Sequence, residues 1–471
     1  MLKLTNIRIE NGTRDVITDS KQPRFSFSLS SDRQGAALSR CRLTVKAGKT
    51  ALWDSGWRTN GRQISIPYAG KPLTPFTEYA VTVEAEDNLG QCAAGSAAFS
   101  TGRLDTPWQA AWITDPTLPV PEKSSPQPLL FRKKIALREA PVQAWLCATA
   151  LGIYELTLNS DRLGDRYFAP GFTSYEHQIQ YQSYAARDLY AGENEIRALV
   201  GPGWAVGAFT FTRSNRTYAD TPALLLELRV RYANGAEEVF GTGHDWELSR
   251  EGALRFADWY DGEVYDATVD ERCLHWVPAR VTAPRGNPKL LAEYGAPVRA
   301  IRRLEPVAVF SAPNGERIYD FGQNFAGVID AEITGKQGQK LVFRHAEVCK
   351  DGELFTKPLR TAKARIEYVC RDGSQHYSPR MTYMGFRYAE HDNVALQAAV
   401  EGMVLLKMKM TRCPCPGTQS STCSARPSIC SAIPPPGPAS STPAGRRTFI
   451  RRCRSTAASP SIRKSPVSTA V

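Results

Sequence analysis

The chain has 471 residues, 42% of them hydrophobic and 23% charged, and carries a formal net charge of +12. That length excludes a single hydrophobic core and predicts units of about 100–170 residues each. No apolar run of about 18 residues occurs, and Met1-Leu2-Lys3-Leu4-Thr5-Asn6 is not a charged segment leading into an apolar one, so neither a spanning helix nor an export signal is expected and the cytoplasm is the predicted location.

Up to residue 401 nearly every periodic segment alternates apolar and polar residues with period two and is bounded by Gly, Pro, Asn or Asp. The expected fold class is therefore all-β, in three consecutive β-sandwich domains. Residues 1–103 hold short strands, among them Arg24-Phe25-Ser26-Phe27-Ser28-Leu29 and Tyr79-Ala80-Val81-Thr82-Val83-Glu84, at the spacing of an immunoglobulin or fibronectin type III module. Trp53 and Phe76 stand at strand ends, where a small sandwich needs large side chains. A proline-rich connector from Thr106 to Pro128 leads to a second sandwich over 129–298, and the Pro278-to-Pro297 stretch separates it from a third over 299–403. Asn60-Gly61, Asn234-Gly235, Asn314-Gly315, Asp351-Gly352 and Asp372-Gly373 mark turns. Cys41, Cys92, Cys147, Cys273, Cys349 and Cys370 show no disulfide-framework spacing, which predicts reduced, mostly buried thiols.

Three segments carry residues that could do chemistry. In Gly201-Pro202-Gly203-Trp204-Ala205-Val206-Gly207-Ala208-Phe209, glycines let the backbone come close while the Trp204 indole offers a face to a sugar or base. A buried Trp204 closing the end of the sandwich explains the same pattern. The acidic run Asp258-Trp259-Tyr260-Asp261-Gly262-Glu263-Val264-Tyr265-Asp266 could supply the paired carboxylates of glycoside cleavage. Around a glycine turn, such carboxylates more often face water or bind a backbone amide. His345-Ala346-Glu347 matches half of a zinc deaminase signature, but the second half, P-C-x-x-C, is missing, and on a strand the two side chains would share one face as an ion pair or polar surface. No catalytic residue and no metal site is assigned to the chain.

After Glu401 no Asp or Glu occurs, while eleven Lys and Arg do, leaving 48 basic against 47 acidic residues in 1–401. This tail has no Asn, His, Tyr or Trp, its one aromatic is Phe449, and it holds five of the eleven cysteines. Its Ser/Pro/Arg composition predicts disorder over 404–471. Two origins are open: a basic arm for nucleic acid or anionic membrane, or translation in a shifted reading frame, which the Cys413-Pro414-Cys415-Pro416 run and the scattered cysteines suit better.

Several runs taken together resemble the bacterial α-L-rhamnosidases of glycoside hydrolase family 78. They are Ala169-Pro170-Gly171-Phe172-Thr173-Ser174-Tyr175, the Gly203-Trp204 loop, Asp261-Gly262-Glu263-Val264-Tyr265-Asp266-Ala267, Tyr319-Asp320-Phe321-Gly322-Gln323-Asn324-Phe325-Ala326-Gly327, Arg344-His345-Ala346-Glu347, and Tyr377-Ser378-Pro379-Arg380-Met381-Thr382-Tyr383-Met384-Gly385-Phe386-Arg387-Tyr388. Each is weak, yet their order and spacing agree over roughly 400 of the 471 residues. The resemblance implies a fibronectin-like module, a jelly-roll sandwich, a further β-domain and then an (α/α)6 barrel that performs inverting hydrolysis of terminal α-L-rhamnosyl residues with two carboxylates. The barrel run resembling D-C-P-Q-R-D-E-R is not found here, and the match stops near Val404-Leu405, so this chain is expected to lack the barrel and to be inactive alone. The resemblance also implies rhamnose-containing oligosaccharides or glycosides as partners, with no role for nucleic acid or membrane. In some relatives the second sandwich binds rhamnose with calcium, against an aromatic like Trp204 and beside an acidic residue paired with an amide. The nearest positions here are Glu176 and His177, so Trp204, Phe209, Glu176 and His177 are the candidate sugar-binding residues and no cofactor is expected. The alternative is a free-standing carbohydrate-binding β-protein.

Overall fold

The computed structural model describes residues 1–391 and 398–407. Among them lie strands, one short helical turn at Gly203–Val206 and a 3-10 turn at Lys357–Leu359, so the all-β expectation holds. The residues beyond 407, expected to be disordered, lie outside the described residues, but the strand Ala398–Lys407 carries ordered pairing past residue 403, where the sequence placed the end of the third sandwich.

In the N-terminal module a three-stranded and a five-stranded sheet enclose one core. Alternation builds it: Phe25 and Phe27 point inward from Arg24–Ser31, Cys41, Leu43 and Val45 from Leu38–Ala47, and Tyr79, Val81, Val83 and Ala85 from Glu78–Asp87. Trp53 stacks on Phe25 with ring centroids 6.0 Å apart. The connector from this module is not loose. Arg103 is buried, donates to Glu227 Oε1 at 2.8 Å and lies 3.9 Å over the Trp108 ring.

A six-stranded and a seven-stranded sheet form the second sandwich around the largest core, with Phe131, Leu146, Leu156, Ile196, Leu226 and Trp246 inside. The third body is an eleven-stranded sheet. Its longest strand, Arg317–Gly335, pairs with Met384–His391, Ala308–Ser311, Gly373–Tyr377 and Ala398–Lys407, and shifts register between Asp320 and Phe325. This sheet also takes in Arg166–Tyr167, Leu254–Asp258 and Gly262–Asp266, which precede residue 299 in the chain. Gly262–Asp266 lies parallel to Arg365–Val369, and that pairing carries the acidic run across to the third body. Asn234-Gly235, Asn314-Gly315 and Asp351-Gly352 do join adjacent antiparallel strands.

Of the six cysteines among the described residues, Cys41, Cys147 and Cys370 are buried, whereas Cys92 and Cys273 are exposed, so burial is less general than the sequence suggested. No helix among the described residues is long and apolar enough to cross a membrane.

Candidate functional site

Trp204 sits on the one-turn helix Gly203–Val206, which follows the strand Gly192–Gly201. Gly203 has φ +50°, and a Cβ there would meet Ile153 at 2.8 Å and the Gly152 carbonyl carbon at 3.0 Å, so only glycine lets the turn lie against Gly152-Ile153. The turn presents the indole half-buried. One face stacks on Trp259, centroids 4.1 Å apart and planes 25° apart, and Phe172 leans against it at 5.7 Å. Trp204 is thus part of an aromatic cluster rather than a lone platform. Phe172 is 54% exposed.

The other expected sugar-binding residues are dispersed. Glu176 and His177 are exposed on the turn after Ser174, where the His177 backbone N–H donates to Ser174 O at 2.8 Å. Their side chains make no hydrogen bond, ion pair or ring contact with Trp204. Phe209 is half-buried and bridges Ser214 through its backbone at 3.0 Å. For calcium the local chemistry does not fit: a shell of six to eight oxygens needs several carboxylates or carbonyls converging, and Glu176 is one exposed carboxylate beside an imidazole. Among the described residues no three His, Cys, Asp or Glu side chains gather as a metal site.

The acidic run does come to the aromatic cluster, because Trp259 belongs to it. Three of its four carboxylates, Asp258, Asp261 and Glu263, are buried and engaged rather than facing water, and Asp266 is half-buried. Asp258 Oδ1 accepts from the backbone N–H groups of Tyr260 (2.8 Å) and Asp261 (2.9 Å), and Oδ2 accepts from Ser125 Oγ at 2.6 Å. Asp261 Oδ2 accepts from Arg213 Nη2 at 2.8 Å and pairs with Lys363 Nζ at 3.0 Å, while Oδ1 is buried with no partner. Glu263 accepts from Tyr377 Oη at 2.7 Å, from the Arg380 backbone N–H at 3.1 Å and from that of Met381. Burial pushes its carboxyl up to about 7 against those three hydrogen bonds. Glycoside hydrolysis asks for two carboxyls flanking an open cleft. Glu263 instead staples the 377–382 stretch to the hairpin, with Thr382 Oγ1 donating to the Asp258 backbone O at 2.7 Å, while Asp258 and Asp261 hold Ser125, Arg213 and Lys363.

His345 and Glu347 do not pair, contrary to the sequence expectation. The strand ends at Ala346, so alternation no longer sets their faces. His345 is buried against Phe386 at 4.7 Å with Nδ1 2.9 Å from Ala364 O, and burial pushes its imidazole down to about 4. Glu347 is exposed and accepts from Asn324 at 3.0 Å. Sequence reasoning passed over Trp259 and Tyr383 as site residues. Both lay in runs already singled out, and the only signal was the unusual density of aromatics there; their meeting depends on pairings more than 100 residues apart in sequence.

Three family models match the chain in order: a Rha78A-like N-terminal immunoglobulin domain over residues 4–105, an α-L-rhamnosidase N-terminal domain over 139–301, and a bacterial α-L-rhamnosidase concanavalin-like domain over 310–406. An α-L-rhamnosidase of Streptomyces avermitilis is 36% identical over 261 residues, 53% of this chain and 25% of that protein. The crystal structure of native α-L-rhamnosidase from Aspergillus terreus superposes with a TM-score of 0.79 at 28% identity, over 88% of this chain and 50% of that one. An α-L-rhamnosidase structure from Streptomyces avermitilis complexed with L-rhamnose shares the fold with a TM-score of 0.74 at 22% identity, over 87% of this chain and 57% of that one. The chain thus spans 57% or less of the length of each of these relatives.

Proposed function

This chain belongs to the bacterial α-L-rhamnosidases by its N-terminal β-domains, and from that premise we propose that it serves the hydrolysis of terminal α-L-rhamnosyl residues by holding the sugar rather than by cleaving it. The observation that supports holding is the half-buried Trp204 indole with the exposed Phe172 ring beside it. An aromatic rim of this kind receives the apolar face of a pyranose, each stacking contact contributing on the order of 1 kcal/mol. The engagement of Asp258, Asp261 and Glu263 in structural bonds supports the absence of cleavage by these domains. Relatives that carry the same domains are α-L-rhamnosidases, and one was crystallised with L-rhamnose.

Calorimetric titration of L-rhamnose into the whole chain, with and without calcium, tests this reading. Binding is expected in the millimolar range, about 4 kcal/mol in total, unchanged by calcium and lost in Trp204→Ala. Equal binding by wild type and variant would make Trp204 a structural plug. An aryl α-L-rhamnoside incubated with the chain should release no more product than buffer does.

A further inference from the structure

Resting on the reading of Trp204 as a sugar-stacking residue, we propose that the binding surface continues from the second sandwich into the third body and takes an oligosaccharide segment of two or three sugars rather than one terminal sugar. The rings of Phe172, Trp204, Trp259 and Tyr383 follow one another with centroid steps of 5.7, 4.1 and 5.7 Å. The two ends are the open ones: Phe172 is 54% and Tyr383 38% exposed. Beneath them lies a buried floor of two rings. Tyr175 supports Phe172 at 6.2 Å, and Phe168 supports Trp259 at 5.1 Å and Tyr383 at 5.5 Å.

Such a strip is useful to a ligand only if its halves hold still, and here they are fixed. Tyr383 follows Thr382, whose hydroxyl donates to Asp258 O, and Met381, whose backbone N–H donates to Glu263, so the ring from the third body is tied to the hairpin that carries Trp259. A preformed surface spares the ligand the ordering entropy that weakens binding to mobile side chains. The flanking polar groups are a neutral phenol and an ammonium whose charge is offset by a buried carboxylate. Tyr260 is 36% exposed with its hydroxyl accepting from Thr210 N–H, and Lys363 reaches over Asp261 from solvent. Mixed donors and acceptors beside exposed rings suit a neutral, hydroxyl-rich chain, whereas a polyanion would require an excess of cations.

The test titrates L-rhamnose and an α-linked trirhamnoside into the whole chain and into Tyr383→Ala and Tyr383→Phe. Wild type should bind the trirhamnoside about tenfold more tightly than rhamnose. Tyr383→Ala should erase that advantage, bringing the two sugars to equal affinity, and Tyr383→Phe should retain it. Equal affinities for the two sugars in wild type, or a Tyr383→Ala variant that matches wild type for both, would overturn the proposal while leaving the Trp204 reading intact. Failure of wild type to bind rhamnose would remove the Trp204 reading first. Sedimentation supplies an independent readout: a dimer that Tyr383→Ala dissociates would make the strip a contact between two copies and overturn the proposal.

Discussion

At Glu263, three donors and full burial act against each other, and burial prevails, with the carboxyl pushed up to about 7 from 4.5. The folded chain therefore keeps a proton that the unfolded chain releases near 4.5, and between those values the native state binds more protons. Stability contributed by this site is present at low pH and declines as the pH rises through that window, by about 3 kcal/mol. Glu263→Gln retains the acceptor and removes the titration. Urea denaturation of wild type and variant at pH 5 and pH 8 should show the gap between them moving in the variant's favour at the higher pH. A gap that is constant with pH would show that Glu263 does not titrate there.

Gly262 turns the hairpin Leu254–Asp258 to Gly262–Asp266 against the third body. It adopts φ +102°, and a Cβ there would fall 1.9 Å from the Arg365 carbonyl oxygen. Backbone, not a movable side chain, fills the space, so Gly262→Ala must push the two strands apart. A loss of about 2–4 kcal/mol in chemical denaturation is expected. Much of the element structure was legible beforehand, since the alternation in Arg24–Ser31 or Glu78–Asp87 is set locally by which face is buried. The partner of Gly262–Asp266 was not, because a parallel strand about 100 residues away leaves no local trace. For the same reason Trp204 could be suspected from its flanking glycines while Trp259 and Tyr383 could not, and the carboxylates of the acidic run could be named as candidates for catalysis without any sign that Tyr377, Arg213 and Ser125 would occupy them.

For the whole molecule the junctions matter more than the domains. Arg103 and Glu227 meet between the N-terminal module and the second sandwich with side chains 2% and 0% exposed. Losing Glu227 strands the buried Arg103 guanidinium in a low dielectric, so Glu227→Gln should cost about 3–5 kcal/mol; Arg103→Met should cost less, because Arg229 lies 3.6 Å from Glu227 and the Gln109 backbone N–H donates to it, and the double variant should cost less than the two single losses together. A double-mutant cycle measured by thermal or urea melting decides it. Arg380 pairs with Glu155, and Arg299 with Asp165 at 2.8 Å, across the next boundary.

The shared sheet has a consequence for how such a protein can change over time. A recombination event at residue 298/299, where the chain offers its most obvious seam, would hand one descendant a sandwich bearing an unpaired hairpin and the other a sheet deprived of Arg166–Tyr167, Leu254–Asp258 and Gly262–Asp266. Both products would expose strand edges that invite association with other chains. A break between the second and third bodies therefore divides one sheet, whereas a break between the N-terminal module and the second sandwich divides no sheet but separates the buried Arg103–Glu227 pair.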